Sequence, residues 1–95
     1  MYESIDILDI DSIYITDNLI DIRERYEYIL GNIPGSKNIP YNYLIINPND
    51  YLDINKTYYI YCDSGNKSRK LCTILNNNGY HIVDLIGGYN RYLVR

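Results

Sequence analysis

Thr57-Tyr58-Tyr59-Ile60-Tyr61-Cys62-Asp63-Ser64-Gly65-Asn66-Lys67-Ser68-Arg69 is the stretch whose reading decides the fold. Thr57 to Tyr61 is β-branched and aromatic, the composition of a central strand. Ser68 to Asn78 reads as a helix. Leu71, Ile74 and Leu75 form an i, i+3, i+4 apolar stripe, and Gly79 after three asparagines supplies the stop. A short Gly-containing loop joins the two elements, with a single cysteine where the strand ends. Loop N–H groups and the positive end of the helix dipole, aimed at that sulfur, lower a thiol pKa. Cys62 is therefore the candidate nucleophile. Gly65 permits the backbone angles that turn N–H groups inward. Ser68 is a candidate N-cap or first-turn residue, and Lys67 places a positive charge beside the sulfur. The alternative is a buried structural cysteine, which the adjacent glycine loop and helix start disfavour.

The remaining elements extend outward from this unit. Ile5-Asp6-Ile7 reads as a first strand, Asp9 to Tyr14 as a turn or short helix, and Asn18 to Ile22 as a second strand. Glu24 to Leu30 reads as a short helix with Tyr28, Ile29 and Leu30 as its apolar positions and Gly31 as its stop. Pro34-Gly35 suits the central positions of a type II turn. Ser36 to Ile39 is a short strand closed by Pro40. Tyr41 to Ile46 allows one or two helical turns, broken at Pro48-Asn49. His81 to Ile86 is a last strand, Gly87-Gly88 a tight loop, and Tyr89 to Val94 a terminal helix. Strands separated by helices predict right-handed crossovers and a doubly wound α/β fold, its mainly parallel sheet covered on both faces. Ligands in such sheets sit beyond the carboxyl ends of the strands, where Cys62 falls.

Bulk properties narrow the function. Ninety-five residues allow one modest core, so residues 1–95 are expected to form a single domain. A net charge of −3 argues against nucleic acid as a partner, because phosphate binding needs a basic face. No apolar run approaches the ~18 residues of a membrane span. Met-Tyr-Glu-Ser-Ile-Asp at the start lacks the basic and apolar regions of a signal peptide, and two cysteines are too few for a disulfide scaffold. Reduced thiols and a cytoplasmic location follow as expectations. Thirteen tyrosines stand against no phenylalanine and no tryptophan, so tyrosine supplies the aromatic core and its buried hydroxyls need partners.

Tyr-Cys-Asp-Ser-Gly-Asn-Lys-Ser at 61–68 resembles the Tyr-Cys-x-x-Gly-x-Arg-Ser active-site segment of rhodanese-like sulfurtransferases. Leu19-Ile20-Asp21-Ile22-Arg23-Glu24 is similar to the family's Asp-Val-Arg-Glu segment. Gly31 to Pro40 is similar to its Gly-His-Ile-Pro-Gly-Ala-x-Asn-Ile-Pro signature. Asp84-Leu85-Ile86-Gly87-Gly88 resembles its Leu-x-Gly-Gly ending, with Tyr92 in the place of a frequent tryptophan. The resemblance implies a five-stranded sheet and a two-step chemistry. The Cys62 thiolate attacks a sulfane sulfur donor such as thiosulfate. The Cys62 persulfide then passes its outer sulfur to cyanide, a thiol or a sulfur-accepting protein. Asp63, Ser64, Gly65, Asn66, Lys67 and Ser68 would form the substrate cradle. No metal or organic cofactor is implied. The rival reading is a non-catalytic sulfur carrier or interaction module of the same fold.

The departures bear on substrate. Lys67 replaces the usual arginine, keeping charge but losing the bidentate fork. Asn32 replaces histidine, and Ser36 replaces alanine. Asp63 opposes anionic donors. Phosphatases and arsenate reductases place arginine six residues after the cysteine; here that position is Ser68, which disfavours them. Asp21 and Arg23 read as an ion pair at a strand end that could brace the loop or line its mouth. Glu24 and Glu27 read as a solvated helix face, Cys72 as a buried helix thiol, and His81 as a residue at the strand end opposite Cys62. Nothing in the sequence supplies a metal cluster.

Overall fold

The computed structural model describes residues 2–12 and 18–94. Among the described residues there are five strands: β1 (Ser4–Asp6), β2 (Leu19–Asp21), β3 (Lys37–Asn38), β4 (Thr57–Tyr61) and β5 (His81–Ile86). They form one parallel sheet in the order β1-β5-β4-β2-β3. The helices α1 (Arg25–Leu30), α2 (Tyr41–Ile46), α3 (Asn66–Asn77) and α4 (Gly88–Leu93) connect or follow them. Short 3-10 turns cover Ile7–Ser12 and Pro48–Asp50. The chain is α/β and doubly wound, as its alternating pattern predicts. No helix among the described residues is long and apolar enough to cross a membrane.

Strand β4 lies at the centre, and its side chains alternate between two cores. Tyr58 and Ile60 join Ile20, Ile22, Leu44, Leu71, Leu75 and Ile82 under α2 and α3. On the opposite face Tyr61 joins Ile7, Ile10, Leu19, Ile33 and Leu85, with Tyr89 and Tyr92 of α4 packed against them. Two buried faces explain why β4 lacks an apolar–polar alternation. The buried tyrosine hydroxyls are satisfied. Tyr61 Oη accepts the Ile33 N–H at 3.1 Å and bonds Ser36 Oγ at 3.1 Å. Tyr58 Oη accepts the Asp53 N–H at 2.8 Å. Ser36, in the position of the family's alanine, is thus a hydrogen-bond partner for an aromatic that carries a hydroxyl.

Several boundaries differ from the sequence reading. The first strand is Ser4–Asp6, and Ile7 already begins the 3-10 turn. The turn expected over Asp9 to Tyr14 is observed to Ser12; Ile13 and Tyr14 lie outside the described residues. Glu24 is the N-cap of α1, not its first residue, and it makes a reciprocal capping box with Glu27. Ile29 and Leu30, two of the three apolar positions of α1, are 67% and 85% exposed and do not join the core. Helix α3 begins at Asn66, two residues before the expected Ser68. Its buried stripe is Ser68, Leu71, Cys72 and Leu75, an i, i+3, i+4, i+7 set in which Cys72 takes the place given to Ile74. The Pro34-Gly35 turn is type II as expected: Ser36 N–H donates to Ile33 O at 3.0 Å, with Gly35 at φ +87.

Candidate active site

Strand β4 delivers Cys62 to the carboxyl edge of the sheet, where Ile22 N–H also bonds Tyr61 O at 3.0 Å and ties β2 to the same level. The chain then turns through Asp63, Ser64 and Gly65 into α3. Gly65 is the N-cap and sits at φ +98, a conformation that side chains rarely adopt. That turn points two backbone N–H groups at the Cys62 sulfur: Gly65 at 3.1 Å and Ser68 at 3.4 Å. The twelve-residue α3 adds the positive end of its dipole from the same direction. Cys62 is 1% exposed, so the sulfur is held by oriented dipoles with little competition from water.

The six loop residues separate into groups. Gly65 and Ser68 contact the sulfur. Asp63 and Lys67 line the mouth above Cys62, with Arg23, Glu24, Glu27 and Tyr41. The mouth is a cavity of about 40 Å³, sized for a group of a few atoms. The Ser64 N–H is turned away from the sulfur and donates to Asp63 Oδ1 at 2.8 Å. Asn66 is exposed and accepts from Arg69 through its side chain at 3.2 Å. Ser64 and Asn66 line a second cavity on the reverse side of the loop, together with Tyr2, Ser4, Arg69 and Asp84.

Charges at the mouth are unevenly free. Arg23 is committed to structure: its guanidinium meets Asp21 at 2.7 and 3.1 Å, donates to Gly31 O at 2.7 Å, and lies 4.2 Å from the Tyr89 ring centroid. Glu24 and Glu27 cap each other's backbone. Lys67 keeps its ammonium at the rim, 5.8 Å from the centre of the Tyr41 ring. Cys72 lies fully buried on α3, and burial pushes its thiol well above the usual range. His81 is exposed at the amino end of β5, bonded to Thr57 Oγ1 at 2.7 Å and Glu3 Oε1 at 2.8 Å. It lies away from Cys62, as its place in the sequence indicates.

Two contributions escaped the sequence reading. The first is α4, whose opening N–H groups dock on the loop's own carbonyls. Tyr89 donates to Cys62 O at 2.8 Å, and Asn90 donates to Asp63 O at 2.9 Å. The second is Asp84. It is 3% exposed in the middle of β5, and its Oδ1 accepts from Ser68 Oγ at 2.7 Å. Burial raises its pKa, with the Ser68 hydrogen bond and Arg69 opposing. A lone carboxylate inside Ile82-Val83-Asp84-Leu85-Ile86 is a signal that a buried partner must exist.

The model of the rhodanese-like domain matches residues 5–94 of this sequence. The chain belongs to the rhodanese-like domain family. A rhodanese-related protein from Thermoplasma volcanium is 32% identical and superposes with a TM-score of 0.86 over 98% of this chain and 92% of its own. The uncharacterised protein YqhL of Bacillus subtilis is 35% identical over 78% of this chain and 59% of its own length. The adenylyltransferase and sulfurtransferase uba4 of Ogataea parapolymorpha is 38% identical over 78% of this chain but only 19% of its own length. The chain thus spans less than two thirds of either curated relative. The rhodanese-like assignment agrees with the four sequence segments that carry the resemblance.

Proposed function

We propose that this rhodanese-like domain is a sulfurtransferase in which Cys62 carries the transferred sulfur as a persulfide. The observation that supports this most strongly is the pair of backbone N–H groups, Gly65 and Ser68, converging on a cysteine sulfur at the floor of a small cavity. Such donors stabilise negative charge on sulfur without supplying a competing base. In the first half-reaction the Cys62 thiolate attacks the outer sulfur of a sulfane donor. With thiosulfate the S–S bond breaks, sulfite leaves with the electron pair, and Cys62–S–S⁻ remains. In the second, a nucleophile such as cyanide or a thiolate attacks the outer sulfur and returns the Cys62 thiolate. Lys67 at the rim attracts the anionic end of a donor, whereas Asp63, Glu24 and Glu27 oppose it. Asp63, Ser64 and Asn66 complete the loop and shape it.

The acidic rim favours a second reading, in which Cys62 accepts sulfur from a protein or low-mass persulfide and hands it to a protein partner, with little turnover of free thiosulfate. Steady-state formation of thiocyanate from thiosulfate and cyanide separates the two. Turnover that Cys62→Ser abolishes supports the enzyme. A stable persulfide with no turnover supports the carrier. Turnover that survives in Cys62→Ser removes Cys62 from the chemistry altogether.

A further inference from the structure

Asp84 stands outside the cradle residues, yet it is joined to the sulfur by a continuous polar chain. Cys62 Sγ lies 3.6 Å from Ser68 Oγ, and Ser68 Oγ lies 2.7 Å from Asp84 Oδ1. Ser68 is fully buried and Asp84 is 3% exposed, so bulk water does not mediate between them. The Ser68 hydroxyl has one proton. Gly65 O, at 3.2 Å, is its other carbonyl-type acceptor, but the closer carboxylate is the stronger one. Strand register puts Ser4 and Ile60 on either side of Asp84, so the groups above it come from α3.

We propose that Asp84 and Cys62 share one proton through the Ser68 hydroxyl, making Asp84 the positioning residue that sets the ionisation of the nucleophile. In one state Asp84 is a carboxylate, Ser68 donates to it, and the Cys62 thiol donates to Ser68 Oγ. In the other state the thiol proton has moved to Ser68 Oγ, and the former Ser68 proton has moved to Asp84 Oδ1. The S–H electron pair stays on sulfur, and the neutral carboxyl now donates to Ser68 Oγ. The Ser68 hydroxyl thereby turns onto the thiolate. Atoms and charge balance: one negative charge moves from carboxylate to sulfur. Two anions this close in a buried site repel strongly, which is why the pair retains its last proton.

The surroundings fit such sharing. Burial raises the Asp84 pKa, so the carboxyl holds a proton to higher pH than a solvated aspartate does. The other titratable or charged groups facing it are Arg69 and Cys72 from α3 and Tyr2 from the segment before β1. Arg69 opposes the rise, while Cys72 stays a neutral thiol through burial.

The inference rests on Cys62 being the nucleophile, but its test does not require sulfur transfer. Carbamidomethylation of Cys62, followed by peptide mass spectrometry across pH in the full chain, reads the thiolate directly. In Asp84→Asn the amide N–H donates to Ser68 Oγ as the neutral carboxyl would, and the competing negative charge is gone. The variant should alkylate at Cys62 about threefold or more faster than the parent near pH 6–7, with the difference vanishing at high pH. Equal or slower alkylation at every pH in a folded variant overturns the proposal. If Asp84→Asn does not fold, a ¹³C titration of the Asp84 carboxyl in the parent and in Cys62→Ser decides. Loss of the coupled partner should simplify the carboxyl profile to one step at lower pH. Identical profiles refute the sharing. A failed thiocyanate assay with these results intact would count against the sulfurtransferase reading alone.

Discussion

Arg23 has the residue type of a ligand-binding cation and lines the mouth, but its contacts make it a brace. Asp21 is fully buried and takes a bidentate pair from the Arg23 guanidinium, which continues to Gly31 O and covers the Tyr89 ring. Removing the arginine leaves a carboxylate buried without its charge partner. Arg23→Ala should lower unfolding free energy by about 3–5 kcal/mol in urea titrations, and Arg23→Lys should recover only part of that because the fork is lost. A loss below about 1 kcal/mol for Arg23→Ala would mean that the pair is solvated and weak. Sequence pattern placed Asp21 and Arg23 together at a strand end but did not decide between brace and ligand. Tyr89 and Gly31 arrive from distant parts of the chain, and only packing brings them to the guanidinium. Asp84 was hidden for the same reason. Its partner Ser68 lies on α3, sixteen residues earlier in the chain, and no local spacing connects them.

At the scale of elements, the cradle depends on where two helices begin. The sequence allows Ser68 to be either the N-cap of α3 or a residue of its first turn. The N-cap is Gly65, and Ser68 occupies the first turn, where its N–H meets the Cys62 sulfur and its hydroxyl meets Asp84. Helix α4 begins at Gly88, which sits at φ +69 against the loop. A Cβ there would lie 2.5 Å from Asp63 O and 2.7 Å from Cys62 O, both rigid backbone atoms. The Gly87-Gly88 pair is therefore less a loose loop than a close contact that lets α4 hold the cradle from behind. Gly35 is a useful control, since its φ is also positive at +87 but its Cβ would meet nothing within 4 Å. Gly35→Ala should lose only the conformational cost, about 1–2 kcal/mol. Gly88→Ala adds the clash and should lose at least about 2 kcal/mol more than Gly35→Ala in chemical denaturation. Equal losses in the two variants would show that α4 does not brace the loop.

Across the whole molecule, the sheet order was the part that sequence could least supply. The central strand Thr57–Tyr61 and the last strand His81–Ile86 match their expected limits residue for residue, because their apolar composition and flanking turns are unambiguous. The edges moved. Strand β3 is only two residues long, and the ends of β1 and α1 depend on capping and pairing that composition does not encode. The order β1-β5-β4-β2-β3 brings the ends of β2 and β4 and the start of α3 to one edge of the sheet. That convergence gives a 95-residue chain a buried sulfur with oriented donors. On the proposed function, this sulfur is the one that carries cargo. Purified protein treated with thiosulfate or a low-mass persulfide, then digested and weighed, tests it most directly. A gain of about 32 Da, one sulfur atom, is expected on the Cys62 peptide, and cyanide should then remove it. No adduct with either donor, or an adduct confined to Cys72, would contradict it.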